Sequence, residues 1–106
     1  MASGQFDNDI IFSVGNLVLD MASRLVNVNQ NQIALTPKQF DILYLLIKNK
    51  NKLVSRDDFM KKVWGHSDVT PRNVDSQINY LKNKIAGFNC EISAVPGYGY
   101  RLDVKN

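Results

Sequence analysis

Cysteine and histidine are nearly absent from this chain of 106 residues, since each occurs only once. A single cysteine cannot form an internal disulfide, so Cys90 is typical of a protein of a reducing cytoplasm. His66 and Cys90 together are too few ligands to complete a zinc site. Cys90 also has no nearby histidine to activate it, so we interpret it as an inert thiol. We therefore expect neither a metal nor a catalytic cysteine.

Long hydrophobic runs and phosphate-binding glycine loops are missing as well. No apolar segment approaches the ~20 residues that a membrane-spanning helix requires, and no signal-peptide pattern opens the chain. The six glycines do not follow the spacing of a nucleotide-binding loop. Asp57 and Asp58 are better explained by the start of a helix than by acid–base catalysis. We expect no enzymatic activity, no cofactor and no small-molecule ligand.

The excess of positive charge is small and unevenly distributed. The chain has 13 basic and 10 acidic side chains, a net charge of +3. Residues 37–106 hold 12 basic and 7 acidic side chains, a net +5, whereas residues 1–36 carry −2. This balance permits a nucleic-acid partner without requiring one, and an anion would bind the C-terminal two thirds.

The organisation along the chain is that of a single domain. We interpret residues 1–9 as an added leader or a linker and residues 10–106 as the folded domain. Short β-type runs separated by turn residues predict an antiparallel meander in the first third. These runs span residues 10–14, 17–19, 24–28 and 32–35.

Capping signals predict three helices after the meander. Thr36 and Gln39 form a Thr-x-x-Gln capping box around Pro37. A second helix begins at Ser55 and ends at Gly65. A third begins at Thr70 and Pro71 and continues to Ala86. Strands at residues 92–95 and 99–104, joined by a type II turn at Pro96-Gly97, complete an α+β fold.

The third predicted helix has one aliphatic side and one polar side. At ~100° per residue, the aliphatic side chains form a single stripe: Val74, Ile78, Leu81 and Ile85. The polar side contains three asparagines and a serine, which are poor helix formers: Asn73, Asn79, Asn83 and Ser76. Any amphipathic helix has a solvated outer side, but such a side is usually rich in Glu and Lys. This composition therefore favours a surface that reads DNA.

Individual side chains on that surface suit particular DNA groups. Asn73 and Gln77 can form paired hydrogen bonds with adenine edges. Ser76 is short enough for close backbone approach, and Tyr80 can contact a base edge or a thymine methyl. Arg72, Lys82 and Lys84 can bind phosphates.

The predicted hairpin carries an aromatic residue at its tip. Tyr98 stands between two glycines and has little to pack against within the hairpin, so we expect it to project. An ordinary turn with an exposed ring is the alternative. Arg101 could reach a phosphate or pair with Asp103 or Asp75. Trp64 is interpreted as a core residue, with an indole that donates to a phosphate as the minority alternative.

Four segments of the sequence resemble the C-terminal effector domain of OmpR/PhoB-family transcription regulators. They are LTPKQFDILYLL (35–46), LVSRDDFMKKVWG (53–65), NVDSQINYLKNKI (73–85) and VPGYGYRL (95–102). The resemblance implies a winged helix-turn-helix fold, with the third helix in the major groove of DNA and the C-terminal hairpin, or wing, in the minor groove. It also implies a response regulator of a bacterial two-component system that acts in the cytoplasm.

The resemblance also implies roles for individual positions. Side chains that would face bases are Asn73, Ser76, Gln77 and Tyr80. Side chains that would lie near phosphates are Trp64, Arg72, Asn79, Lys82 and Tyr100, to which Lys84 is added from its charge. Tyr98 and Arg101 would belong to the wing in the minor groove. The loop of His66, Ser67, Asp68 and Val69 matches a family segment that often touches RNA polymerase.

Three positions depart from the family pattern, because relatives commonly carry basic residues where Asn79, Tyr80 and Pro96 stand here. Fewer cations would flatten the salt dependence by about 0.9 per lost phosphate contact. Recognition would shift toward A·T edges, methyl groups and DNA shape. No receiver domain is recognisable in the sequence, so the parent protein could be a response regulator, lack phosphorylation control or be anchored in a membrane.

These observations predict a bacterial transcription regulator's domain that binds specific double-stranded DNA. Weak binding by one domain predicts a homodimer on repeated half-sites. The alternative is a winged-helix module that docks a protein, such as RNA polymerase or a second copy of this chain.

Overall fold

A four-stranded antiparallel sheet opens the described part of the chain. The computed structural model describes residues 11–65 and 69–104. The strands are β1 (Ile11–Val14), β2 (Leu17–Asp20), β3 (Leu25–Val28) and β4 (Asn31–Ile33), paired in that order. The predicted meander is confirmed, with strand ends within two residues of the expected ones. Ile10, which was expected in the first strand, lies outside the described residues.

Helix α1 (Pro37–Lys48) is the central core helix. The predicted capping box is confirmed: the Gln39 N–H donates to Thr36 Oγ1 at 3.2 Å, and the Thr36 N–H donates to Gln39 Oε1 at 3.0 Å. These bonds satisfy amides that the first turn of a helix leaves free. Ile42, Leu43 and Leu46 are fully buried.

The second helix contains a feature that the sequence did not predict. Helix α2 (Arg56–Phe59) continues into a π-helical turn at Met60–Trp64. Its predicted ends are confirmed, because the Asp58 N–H donates to Ser55 Oγ at 3.0 Å and Gly65 follows with φ +67°. The i→i+5 hydrogen bonds of a π-helical turn cannot be predicted from the apolar spacing of so short a segment.

The predicted hairpin belongs to a larger sheet. Strands β6 (Glu91–Val95) and β7 (Gly99–Asp103) pair as expected, and β5 (Leu53–Ser55) adds to the other side of β7. In this sheet Val54 pairs with Tyr100 and Ser55 pairs with Gly99. Strand β5 was missed because three residues are too few to show alternation.

Helix α3 (Pro71–Lys84) has its predicted start, but it ends earlier than expected. Ile85 caps it with φ −104°, two residues before the region around Gly87 where the sequence suggested an end. Its aliphatic side packs against α1 and α2. No helix within the described residues is long and apolar enough to cross a bilayer.

Polar contacts join the N-terminal sheet to the rest of the domain. Asn16 and Asn89 exchange backbone-to-side-chain bonds of 3.2 and 2.9 Å, which link the β1–β2 turn to the segment before β6. Arg24 Nη2 lies 2.9 Å from Asp41 Oδ1 and thereby ties the end of the β2–β3 turn to α1. Two turns of the sheet are thus fixed, one to the segment before β6 and one to α1.

Gly99 lies where β7 passes close to β5, and this contact generates a prediction. An added Cβ at Gly99 would collide with the Val54 carbonyl oxygen and lie 2.8 Å from Ser55 Cα. Gly99→Ala should therefore lower the free energy of unfolding by at least about 1–3 kcal/mol, as overpacking does. Urea unfolding would measure the change.

Gly87→Ala is the matched control. A Cβ there would make only ordinary contacts, the nearest at 3.5 Å from Val28 Cγ1, so its stability should stay close to that of the wild type. Equal stability of the two variants would contradict the close approach at Gly99.

Candidate nucleic-acid interface

The start of α3 is stabilised by its own side chains. Thr70 Oγ1 accepts a hydrogen bond from the Asn73 N–H at 3.3 Å. In return, Asn73 Oδ1 accepts from the Thr70 N–H at 3.1 Å and from the Thr70 hydroxyl at 3.0 Å. The predicted cap at Thr70 is confirmed. The amide oxygen of Asn73 is engaged in the cap, so its NH₂ group is the part left to interact with a ligand.

The two sides of α3 separate as the sequence predicts. The aliphatic stripe is buried: Val74, Ile78, Leu81 and Ile85. On the shoulder of the polar side, Tyr80 is 58% exposed although it is a large aromatic residue. Ser76 and Gln77 are partly exposed, and Asn79 is exposed. The strands of this domain therefore do not cover the surface that was expected to face bases.

Positive charge on α3 is exposed. Arg72, Lys82 and Lys84 are all exposed, and none forms an ion pair within residues 11–65 and 69–104. Asp75 is the one acidic residue of α3 in the sequence, and its carboxylate is paired with Arg56 at 2.9 Å. The helix consequently presents a positive surface with one compensated negative charge.

The wing ends in the predicted turn. The Tyr98 N–H donates to the Val95 carbonyl oxygen at 3.0 Å, and Gly97 has φ +83°. A type II turn needs this left-handed conformation at its third residue, which glycine adopts without strain. Tyr98 is 65% exposed at the tip. The expectation that this ring projects from the hairpin is confirmed.

Arg101 is engaged within the wing sheet. Of the partners that the sequence left open, the structure selects Asp103, whose Oδ1 accepts from Arg101 Nε. The Ser93 hydroxyl donates to Asp103 Oδ2 at 2.6 Å. The hydrogen bonds from Arg101 and Ser93 hold the pKa of Asp103 below its usual value.

Tyr100 has a partner that the sequence did not predict. Its ring is 6% exposed, and its hydroxyl donates to Asp75 Oδ1 at 2.6 Å. Arg56 Nε donates to the same oxygen at 2.9 Å, and its guanidinium carbon lies 5.6 Å from the centre of the Tyr100 ring. The hydroxyl that was expected near a phosphate is thus directed at a carboxylate of the same chain. No local pattern could reveal a contact between residues 25 positions apart.

The pKa values within this cluster are shifted by its contacts. Burial and the hydrogen bond to Asp75 raise the pKa of Tyr100 to about 12. Burial by itself would raise the pKa of Asp75, but the hydrogen bonds from Tyr100 and Arg56 outweigh it and lower that pKa. Asp75 is therefore ionised and Tyr100 is protonated at neutral pH.

The remaining predicted positions lie around the end of the second helix. Trp64 is partly buried. Lys38 Nζ lies 5.7 Å from the centre of the Trp64 ring and donates a hydrogen bond to the Val63 carbonyl oxygen at 3.0 Å. Of the expected polymerase-facing loop, Val69 is partly exposed. His66, Ser67 and Asp68 lie outside the described residues. Within the described residues, no group of His, Cys, Asp and Glu side chains is arranged to hold a metal ion.

Comparison with known proteins identifies relatives of this domain. A family model for the C-terminal domain of transcriptional regulatory proteins matches residues 30–102. The response regulator ArlR of Staphylococcus epidermidis is 37% identical over 99 residues, which cover 91% of this chain and 45% of ArlR. The chain thus spans less than half the length of this relative. The matching family is one of transcription regulators and not of enzymes.

Solved structures of similar fold include domains without and with DNA. The DNA-binding domain of CssR from Bacillus subtilis is 36% identical, with a TM-score of 0.73, covering 81% of this chain and 98% of that domain. The DNA-binding domain of RstA from Klebsiella pneumoniae, in complex with the RstA box, is 28% identical with a TM-score of 0.77. The match covers 88% of this chain and 96% of the RstA domain.

The raised pKa of Tyr100 generates a prediction for alkaline solutions. The unfolded chain releases the phenol proton near pH 10, whereas the folded chain keeps it to about pH 12. The contribution of the Tyr100 phenol to the free energy of unfolding is therefore fully present below pH 10, and it is lost as the pH rises toward 12. Two pKa units correspond to roughly 3 kcal/mol. Tyr100→Phe should remove this decline, as measured by urea unfolding from pH 9 to pH 12.

Tyr98→Phe provides the control, because its phenol is exposed at the hairpin tip. Its alkaline decline should match that of the wild type. If Tyr100→Phe and Tyr98→Phe decline equally, the Tyr100 phenol is not held by Asp75.

Proposed function

The chain belongs to the OmpR/PhoB family of transcription regulators and corresponds to the winged-helix C-terminal domain of that family. We propose on this basis that it binds specific sequences of double-stranded DNA. Helix α3 would lie in the major groove and the wing in the minor groove. This is the function of a response-regulator effector domain in a bacterial two-component system. The structure of the related RstA domain with its DNA box supports the proposal.

The observation that carries the proposal is the exposure of the polar side of α3 while its aliphatic side is buried. The major groove of B-DNA is about 12 Å wide and admits one α-helix. Tyr80 is exposed beside Ser76 and Gln77, with the cations Arg72 and Lys82 on the same helix. A helix that is anchored on one side and both polar and cationic on the other meets the requirements of groove recognition.

Contacts with bases are assigned to α3. We propose that Ser76, Gln77 and Tyr80 face base edges, and that Asn73 contributes as a donor because its oxygen belongs to the helix cap. Within residues 11–65 and 69–104 the Gln77 side chain forms no hydrogen bond, so its donor and its acceptor would both be available to an adenine edge.

Contacts with the DNA backbone are assigned to the cations and to the wing. The side chains proposed near phosphates are Trp64, Arg72, Asn79, Lys82 and Lys84. Tyr98 would enter the minor groove, and Arg101 would lie beside it while paired with Asp103. Tyr100 would contribute through Asp75, which accepts a hydrogen bond from its hydroxyl group.

The small number of phosphate contacts available to one domain bears on how the protein assembles on DNA. Because α3 carries only three exposed cations, Arg72, Lys82 and Lys84, one domain would bind weakly, so we propose a homodimer on repeated half-sites, where pairing raises the effective concentration. We place it in the bacterial cytoplasm, where its DNA lies. The segment of residues 65–70 is the proposed contact with RNA polymerase.

Titration of DNA at two salt concentrations tests the proposed function. Sites selected from random DNA should bind more tightly than unselected sequences. With about three to five phosphate contacts, the logarithm of the affinity should fall with the logarithm of the salt concentration at a slope of about −3 to −5. A module that docks proteins would instead show no binding at low salt, or binding that salt does not change.

Substitutions on α3 should separate base recognition from phosphate binding. Gln77→Ala or Tyr80→Ala should weaken binding to the selected site by ~1–3 kcal/mol, whereas Lys82→Ala should weaken all sequences alike and reduce the salt slope by about 1. Affinities for selected and random DNA would be measured side by side.

Lys48→Ala is the control for loss of a cation, since Lys48 ends α1 and is exposed. Its affinity should be unchanged. An equal loss on random and selected DNA in Gln77→Ala would refute the base-reading role.

A further inference from the structure

The cluster of Arg56, Asp75 and Tyr100 joins three separate elements of the domain. Arg56 begins α2, Asp75 belongs to α3 and Tyr100 belongs to β7 of the wing sheet. Their side chains meet at one atom, Asp75 Oδ1, which accepts from Arg56 Nε at 2.9 Å and from the Tyr100 hydroxyl at 2.6 Å. A carboxylate with two donors from different elements restricts the position of both.

The backbone of Arg56 adds a third hydrogen bond, directly to the wing. Its N–H donates to the Tyr98 carbonyl oxygen at 3.2 Å. The neighbouring Ser55 pairs with Gly99 in the wing sheet. Arg56 thus binds the wing through its backbone and α3 through its side chain. The projecting Tyr98 and the polar side of α3 are therefore both attached to the same residue.

We propose that Asp75 is a positioning residue for DNA recognition, which sets the rotation of α3 relative to the wing so that both enter their grooves together. The inference rests on the proposed function, since it concerns the same two DNA-contacting elements. Asp75 immediately precedes Ser76 and lies two residues before Gln77. Because each helical residue turns by ~100°, fixing Asp75 also fixes the direction of both neighbours.

The location of Asp75 explains how an acidic residue is tolerated on a DNA-binding helix. A free carboxylate beside phosphates would repel them, but this one accepts from Arg56 and Tyr100 and is partly covered, with 36% of its side chain exposed. The ion pair between Arg56 and Asp75 also holds the Arg56 guanidinium over the Tyr100 ring. The negative charge of Asp75 is compensated within the domain, and its hydrogen bonds fix the position of α3 relative to the wing.

Asp75→Ala tests this role through specificity as well as affinity. The ratio of the affinity for a selected site to that for random DNA should fall about tenfold, because α3 and the wing no longer fit both grooves at once. Residual dipolar couplings of the DNA-free domain should show a changed angle between α3 and the wing. A residue that only stabilises the fold would change neither quantity in a fully folded sample.

A double-mutant cycle with Tyr98 tests the coupling itself. Tyr98→Ala should cost about tenfold in affinity in the wild type and less than about threefold in the Asp75→Ala background. Equal costs in the two backgrounds, or no cost in the wild type, would overturn the inference.

Asp41→Ala is the matched control for loss of an ion pair. Its partner Arg24 also lies at 2.9 Å and also links two elements, the N-terminal sheet and α1, but it contacts neither α3 nor the wing. Its DNA specificity should be that of the wild type. A specificity loss equal to that of Asp75→Ala would assign the effect to general loosening of the fold.

If Asp75→Ala does not fold, the variant Tyr100→Phe provides a second test of the positioning role. This variant retains the ring and the ion pair and removes one donor, so the specificity ratio should fall by about threefold and the angle should shift in the same direction. An unchanged ratio in folded Tyr100→Phe and Asp75→Ala would overturn the positioning role alone. Absence of specific binding by the wild type would overturn the proposed function instead.

Discussion

Burial of the aliphatic stripe of α3 against α1 and α2 is the interaction on which the rest of this domain depends. Ile78 and Leu81 are completely buried, and full burial of such a side chain contributes about 1.5–3 kcal/mol. That burial fixes which side of α3 faces outward, so a residue such as Tyr80 is exposed by the same packing that stabilises the helix. The fold and the candidate interface are therefore two consequences of one amphipathic helix.

The wing is a separate element that needs its own attachment. Its hairpin is stabilised by β5 on one side, where Gly99 allows the strands to approach. Its orientation relative to α3 is specified by polar contacts at Arg56 and Asp75 and not by core packing alone. Directional bonds suit this purpose, because hydrophobic burial favours contact without defining an angle. The proposed insertion of α3 and the wing into two grooves would require such a defined angle.

Under the proposed function, the charge distribution on α3 and the wing would favour recognition of DNA by shape and amide contacts over recognition by cations. Arg72, Lys82 and Lys84 are exposed, whereas Arg56 and Arg101 are held by carboxylates of the same chain. The resemblance to the OmpR/PhoB family implies further cations at the positions of Asn79, Tyr80 and Pro96. Their absence lowers the electrostatic part of binding, which is common to all sequences, and leaves the part that depends on base edges.

The sequence by itself determined the local features of this protein: the capping box at Thr36, the helix cap at Thr70, the two-sided character of α3 and the type II turn below Tyr98. Each depends on residues a few positions apart, where spacing and side-chain chemistry are decisive. Only the tertiary structure decided that Tyr100 donates to Asp75 and that Leu53–Ser55 forms a strand beside β7. These contacts join residues whose proximity arises from packing of whole elements, which no periodicity along the chain records.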